Sequence, residues 1–195
     1  MQTNSLVLAS GSKYRKALLE KLNLRFICAQ PNIDENTKGQ ELPTELAVRL
    51  AEEKARALAT SYPNHFIIGS DQVAMVDKTQ LHKPGHKQAA IEQLRLCSGK
   101  QVKFYTSVCV LDTTNNQLRS ALDICTVYFK NLTTQQINHY INIEQPYHCA
   151  GSFKSEGLGI ALFERIAGDD PNALVGLPLI KLIQLLQAFD IEILS

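Results

Sequence analysis

The segment Ser5-Leu6-Val7-Leu8-Ala9-Ser10-Gly11-Ser12-Lys13-Tyr14-Arg15-Lys16-Ala17-Leu18-Leu19 constrains the fold more than any other stretch of this chain. Leu6, Val7 and Leu8 are a short apolar run of the kind that becomes a buried strand. Ser10-Gly11-Ser12 is a tight polar turn in which glycine permits positive φ and either serine can cap a helix. Ala17, Leu18, Leu19 and Leu22 then recur at helical spacing, so a strand feeds a helix across a small turn.

Such a corner leaves backbone N–H groups unpaired at the positive end of a helix dipole, an arrangement suited to an anion. Lys13, Arg15 and Lys16 add cations where a helix ordinarily prefers acids. That crowding disfavours the free chain and favours a bound polyanion. No G-x-x-x-x-G-K-[ST] or G-x-G-x-x-G pattern is present, and an ordinary corner with solvated basic residues fits equally.

The 195 residues suffice for one full hydrophobic core, and 45% hydrophobic with 20% charged residues is an ordinary globular composition. A net charge of +1 recruits neither nucleic acid nor an anionic membrane globally, so any affinity for a polyanion must be local. No run of eighteen apolar residues and no leader-like N-terminus is visible, and the expectation is a cytoplasmic protein. The five cysteines, 28, 97, 109, 125 and 149, never form C-x-x-C, and buried free thiols are expected in place of a zinc site.

Further along, Arg25 to Cys28 reads as a strand opening into a polar loop from Gln30 to Gln40. Thr44 can cap a helix through about Ser61, with Leu46, Leu50, Ala57 and Leu58 on one face and Glu53 and Lys54 on the polar one. Phe66 to Val76 is apolar but interrupted by Gly69-Ser70-Asp71-Gln72. Lys87 to Leu96 reads as a helix, Lys103 to Leu111 with Leu118 to Phe129 as a long hairpin, and Thr133 or Thr134 as the cap of a short helix. The glycine-rich region from Cys149 to Pro178 has little period, and Pro178 starts a final helix through Leu186. Together these predict an α/β fold, a mixed sheet flanked by helices, in a single domain over residues 1–195.

Asp71 is the strongest catalytic candidate: a carboxylate inside a buried strand can bind a divalent metal or take a proton from water. It can equally be the polar end of a strand entering a turn. Glu35, Lys54 and Lys83 are by default solvated charges, and His82 and His86 flank Pro84-Gly85 and so are not a helical i,i+4 metal pair. Glycines bracket Glu156 on a loop that also carries Lys154, which suits close approach by a ligand as well as simple flexibility. Asp169-Asp170-Pro171-Asn172 is read as a turn and helix cap in preference to a carboxylate pair.

In this order, these pieces resemble the Maf family of nucleoside triphosphate pyrophosphatases, and within it the subgroup acting on 7-methylguanosine triphosphate. The resemblance rests on Leu8-Ala9-Ser10-Gly11-Ser12-x-x-Arg15, Asp34-Glu35, Glu53-Lys54-Ala55, Gly69-Ser70-Asp71-Gln72 and Lys83-Pro84. Its most specific parts are Cys149-Ala150-Gly151-Ser152-Phe153-Lys154-Ser155-Glu156-Gly157 and the run from Asp170 to Leu179. It implies a Maf/ITPase-like fold with two lobes around a deep cleft, and hydrolysis to the monophosphate and pyrophosphate with a divalent metal, Mg or Mn. Asp71 would activate water, Ser10, Ser12, Arg15, Lys54 and Lys83 would hold phosphates, and Glu35 would help place the metal. Lys13 and Tyr14 stand where the broader family commonly has Pro and Arg, and an aromatic at position 14 is similar to the subgroup.

An N7-methylated guanine is cationic, so Tyr14 can stack on it for about 0.5–2 kcal/mol. Glu156 can accept its N1–H and amine while Gln72 adds an amide contact. The expected partner is therefore a nucleoside triphosphate, without nucleic acid or membrane, and the family's dimers leave a homodimer open. The alternative is a non-catalytic nucleotide-binding regulator linked to cell division; retention of Asp71, Lys83 and Glu35 together favours turnover.

Overall fold

The computed structural model describes residues 5–194 and divides into two compact units. Of the described residues, the first comprises those up to Gln72, Thr106–Asp123 and those from Asp170 onward, and the second Val73–Tyr105 and Ile124–Asp169. The elements in chain order are β1 Leu6–Ala9, α1 Lys13–Glu20, β2 Phe26–Ala29, α2 Pro43–Arg56, β3 Phe66–Val76, β4 Thr79–Leu81, α3 Lys87–Cys97, β5 Gln101–Asp112, β6 Gln117–Phe129, α4 Thr134–Glu144, β7 Phe163–Ala167 and α5 Leu179–Gln187. Strands β3, β5 and β6 each contribute residues to both units.

In the first unit the strand order is β2-β1-β3-β5-β6, and β1 lies parallel to both β2 and β3. Strand alternation sorts its side chains into two layers. Leu6, Leu8, Ile68, Val108 and Val110 pack with Leu18 and Leu19 of α1 and with Leu179, Leu182 and Leu186 of α5. Val7, Ala9, Ile67, Cys109 and Leu111 pack with Ala51, Ala55 and Leu58 at and beyond α2. Helices thus cover both faces of a sheet whose buried strands read as continuous apolar runs.

In the second unit β4 pairs antiparallel with the end of β3, and β7 antiparallel with β6. Phe104, Phe129, Phe153 and Phe163 meet edge to face there, with centroids 4.7 to 5.6 Å apart. The sheet is mixed and helix-flanked, as expected, and the hairpin is β5 and β6. Among the described residues no helix is long and apolar enough to cross a membrane.

Several local readings change. Helix α2 begins at Pro43, not after a Thr44 cap, because Glu45 reaches back to accept the Leu42 N–H at 2.9 Å. It ends at Arg56, and residues 57–61 continue as tighter turns in which Ala57 is exposed. Strand β3 is not interrupted: each polar residue at its centre finds a partner, so the strand passes straight through. The short strands β4 and β7 carry no clear alternation and were not expected. Asp170 is a cap, accepting the Asn172 N–H at 2.8 Å and the Ile180 N–H of α5 at 2.6 Å.

Candidate active site

Strand β1 stops at Ala9, whereas β3 runs on to Val76, and their register pairs Leu8 with Ile68. The turn after Ala9 therefore lies beside Ser70 and Asp71, although some sixty positions separate them in sequence. It sits at the carboxyl end of a parallel strand, where open α/β sheets bind ligands. Within the turn the Ser12 N–H donates to Ser10 Oγ at 3.1 Å, and Ser12 Oγ accepts the Arg15 N–H at 3.4 Å as the N-cap of α1. Arg15 donates through Nε to the Gly176 carbonyl at 2.8 Å, an oxygen also reached by the Ser70 hydroxyl at 2.9 Å. Burial pushes the Arg15 guanidinium below its ordinary range, while the charges of Asp71 and Glu35 oppose that shift.

Lys54 is the pivot. The spacing of α2 places it on the buried face with Leu46, Ala47, Leu50, Ala51 and Ala55, not on the solvated face where its charge alone would put it. Its ammonium donates to Asp71 Oδ1 at 2.6 Å and lies 2.7 Å from Glu35 Oε1. The Lys54 and Asp71 side chains are only 9% and 10% exposed, whereas Glu35 is 58% exposed.

Gly69 makes this meeting possible. A Cβ at that position would lie 2.1 Å from the Ala51 carbonyl oxygen and 2.9 Å from Cys109 Sγ. Only glycine allows α2 so close to β3. Lys54 follows Ala51 by one helical turn and Asp71 follows Gly69 by two strand residues, so the contact at Gly69 sets their separation.

Arg49 organises the loop that carries Glu35. It donates through Nη2 to the Asn36 carbonyl at 3.0 Å, through Nη1 to Glu53 at 3.0 Å, and through Nε and Nη2 to Glu41. Lys38 adds an ion pair to Glu53 at 2.8 Å. The Arg49 hydrogen bond, helped by the Lys38 N–H, holds the Glu41 carboxyl down at about 2.

Tyr14 lies half-buried on the first turn of α1 with the Lys13 ammonium 5.2 Å from its ring centroid, so its face already accepts a cation. Gln72 donates its carboxamide to Thr106 Oγ1 and to the carbonyls of Ala173 and Leu174 at 3.0 to 3.1 Å. Its amide hydrogens brace the first unit.

Lys83 and Glu156 belong to the second unit, where both are exposed. Glu156 rides on a loop fastened to the end of α4: Glu144 accepts the Leu158 N–H at 2.6 Å and the Lys154 ammonium at 3.2 Å. The Tyr140 hydroxyl accepts the Lys154 N–H at 3.0 Å. A Cβ at Gly159 would lie 2.2 Å from the Lys154 carbonyl oxygen, so this glycine is required by packing and is not a sign of flexibility.

Asp71 and Glu35 converge on one point with hard oxygen donors, a set suited to Mg2+ or Mn2+ shared with phosphate oxygens. Among the described residues there is no cluster of three or more His, Cys, Asp or Glu side chains arranged for a metal.

A family profile described as Maf-like protein matches residues 5–189. The chain is 50% identical over 191 residues to a 7-methyl-GTP pyrophosphatase of Colwellia psychrerythraea, covering 98% of this chain and 96% of that one. It is 51% identical over 192 residues to a 7-methyl-GTP pyrophosphatase of Alcanivorax borkumensis, covering 98% of each. Among solved structures, a HAM1 protein from Coxiella burnetii aligns with a TM-score of 0.45 and 13% identity over 67% of this chain and 75% of that chain.

Proposed function

This chain belongs to the Maf-like family, and we propose that it is a nucleoside triphosphate pyrophosphatase that hydrolyses 7-methyl-GTP to the nucleoside monophosphate and pyrophosphate. The observation that carries this reading is the Lys54–Asp71–Glu35 cluster beside the turn of Ser10, Ser12 and Arg15. A triphosphate carries about four negative charges that repel an incoming hydroxide until they are offset. A lone carboxylate would add to that repulsion, whereas here a base and its cations occupy one place.

In the proposed reaction, Ser10, Ser12 and the turn's N–H groups receive phosphate oxygens while Arg15 and Lys54 offset their charge. Lys83, in the second unit, is assigned to phosphate by its place in the family motif. Asp71 accepts a proton from water as its oxygen attacks phosphorus, and the phosphoanhydride bond breaks to release pyrophosphate. In the free protein Lys54 is the counter-ion of Asp71 and Glu35. Glu35 would help to hold a divalent cation, which would supply Lewis-acid polarisation of the phosphoryl group.

Tyr14, Gln72 and Glu156 are assigned to the base. The cation already over the Tyr14 ring supports stacking against a positively charged methylguanine. Glu156 supplies a negative acceptor for the base N–H groups.

The test supplies 7-methyl-GTP, GTP, UTP and TTP with Mg2+ or Mn2+ and measures pyrophosphate release. The expected result is preference for 7-methyl-GTP, with Asp71→Asn losing turnover by at least roughly a hundredfold while retaining nucleotide binding. Wild-type turnover in Asp71→Asn would remove it as the base. Nucleotide binding without pyrophosphate release by the native protein would leave the regulator reading in its place.

A further inference from the structure

Gln93 sits in the middle of α3, half-buried, and no step above uses it. Both ends of its carboxamide are engaged inside the second unit. Its Nε2 donates to the His82 carbonyl at 2.8 Å, and its Oε1 accepts the Ser152 hydroxyl at 2.7 Å. A carbonyl can only accept, which fixes the orientation of the amide and hence the direction of the Ser152 hydrogen bond.

The two partners are not ordinary surface groups. His82 immediately precedes Lys83, whose loop is tied at its other side by the Gly85 N–H donating to the Tyr147 carbonyl at 2.9 Å. Ser152 is fully buried and lies four residues before Glu156. Its φ of +61° follows a φ of +76° at Gly151, so two successive left-handed residues turn the chain sharply into the Glu156 loop. A serine rarely adopts that conformation, and a buried hydroxyl requires a partner. Gln93 supplies it.

We propose that Gln93 is a positioning residue that sets the Glu156 loop against the Lys83 loop, linking recognition of the base to the grip on the polyphosphate. The inference rests on the assignment of Lys83 and Glu156 to the substrate. Glu144 fastens the far side of the Glu156 loop through the Leu158 N–H, while Gln93 and the Lys154 contacts hold its entry, Gln93 at the first turn.

The test measures kcat and KM for 7-methyl-GTP and GTP in Gln93→Leu, Gln93→Glu, Ser152→Gly, Glu156→Gln and Lys83→Met, with thermal melting of each. Gln93→Leu should lower the 7-methyl-GTP to GTP ratio of kcat/KM by roughly tenfold and raise KM for both nucleotides. Gln93→Glu retains an acceptor for Ser152 but loses the donor to His82. It should keep the ratio within about twofold while raising KM for both. Ser152→Gly removes the hydroxyl yet adopts positive φ freely, so it should lose discrimination without losing thermal stability, a pattern that general destabilisation does not produce. Wild-type ratio and KM in Gln93→Leu, alongside clear effects of Glu156→Gln and Lys83→Met, would overturn the coupling alone. Wild-type parameters in Glu156→Gln and Lys83→Met would remove the substrate assignment and the coupling with it.

Discussion

Replacing Gly69 by alanine tests whether one close approach between backbones builds the candidate site. The added methyl would lie 2.1 Å from the Ala51 carbonyl oxygen and 2.9 Å from Cys109 Sγ, whereas ordinary contacts begin at 3.4 Å. The Ala51 oxygen belongs to α2, so relief requires helix and strand to separate by more than about 1 Å in a close-packed interior. Overpacking of this kind costs about 1–3 kcal/mol. For a chain of this size that corresponds to a fall in Tm of roughly 2–12 °C.

The functional effect should exceed the stability effect. The same displacement carries Lys54 away from Asp71, stretching a 2.6 Å contact beyond hydrogen-bonding reach. Misplacement by about 1 Å at a reacting centre can cost a hundredfold in rate. Thermal melting and pyrophosphate release by Gly69→Ala would therefore show a modest loss of Tm with a loss of kcat of roughly that size. A variant with wild-type Tm and kcat would refute the reasoning, because the methyl would then have found room without moving α2.

Arg49→Met should flatten acid denaturation. The Glu41 carboxyl lies at about 2 against an ordinary 4.5, so its stabilisation is complete above the ordinary value and is lost as pH falls through about 2. Urea midpoints measured from pH 7 to pH 2 should fall less steeply below pH 5 in the variant, which starts from a lower value at pH 7. Burial pushes the Cys97 and Cys109 thiols up to about 12, so an aromatic disulfide reagent at pH 8 should label exposed Cys28 in the native protein and these two only after unfolding, as mass spectrometry of the peptides would show. Asp170→Ala removes the acceptor for the Asn172 turn and for the N-terminus of α5, and should cost about 1–2 kcal/mol in urea unfolding.

The layered first unit was legible because apolar spacing carries most of its information. Leu6 to Leu8 and Ile67-Ile68 are buried strands, Leu18-Leu19 and Leu182-Leu186 the stripes that cover them. The hairpin was legible from its turn cluster. Strands β4 and β7 were not: β4 is three residues long and folds straight back on the end of β3, too short to show alternation, and the five residues of β7 pair with β6 some thirty-five positions earlier.

Lys54 shows most clearly what separates the legible from the hidden. Charge argued for solvent, yet its position is four residues beyond Leu50 and three beyond Ala51, on the buried stripe. Position and charge conflict in any helix that delivers a functional cation to an interior carboxylate, because an unpaired ammonium on that stripe would cost several kcal/mol. A lysine in register with alanines on a helix, and a carboxylate interrupting an apolar strand, are two violations that cancel only if they meet. Spacing alone cannot say that they do. The glycine two residues before Asp71 supplies the missing condition, since it lets the two backbones approach closely enough for the pair to form. Arg49 and Gln93 stayed hidden for a complementary reason: each ties a side-chain partner to a backbone carbonyl, of Asn36 and His82, and a carbonyl leaves no mark in a sequence.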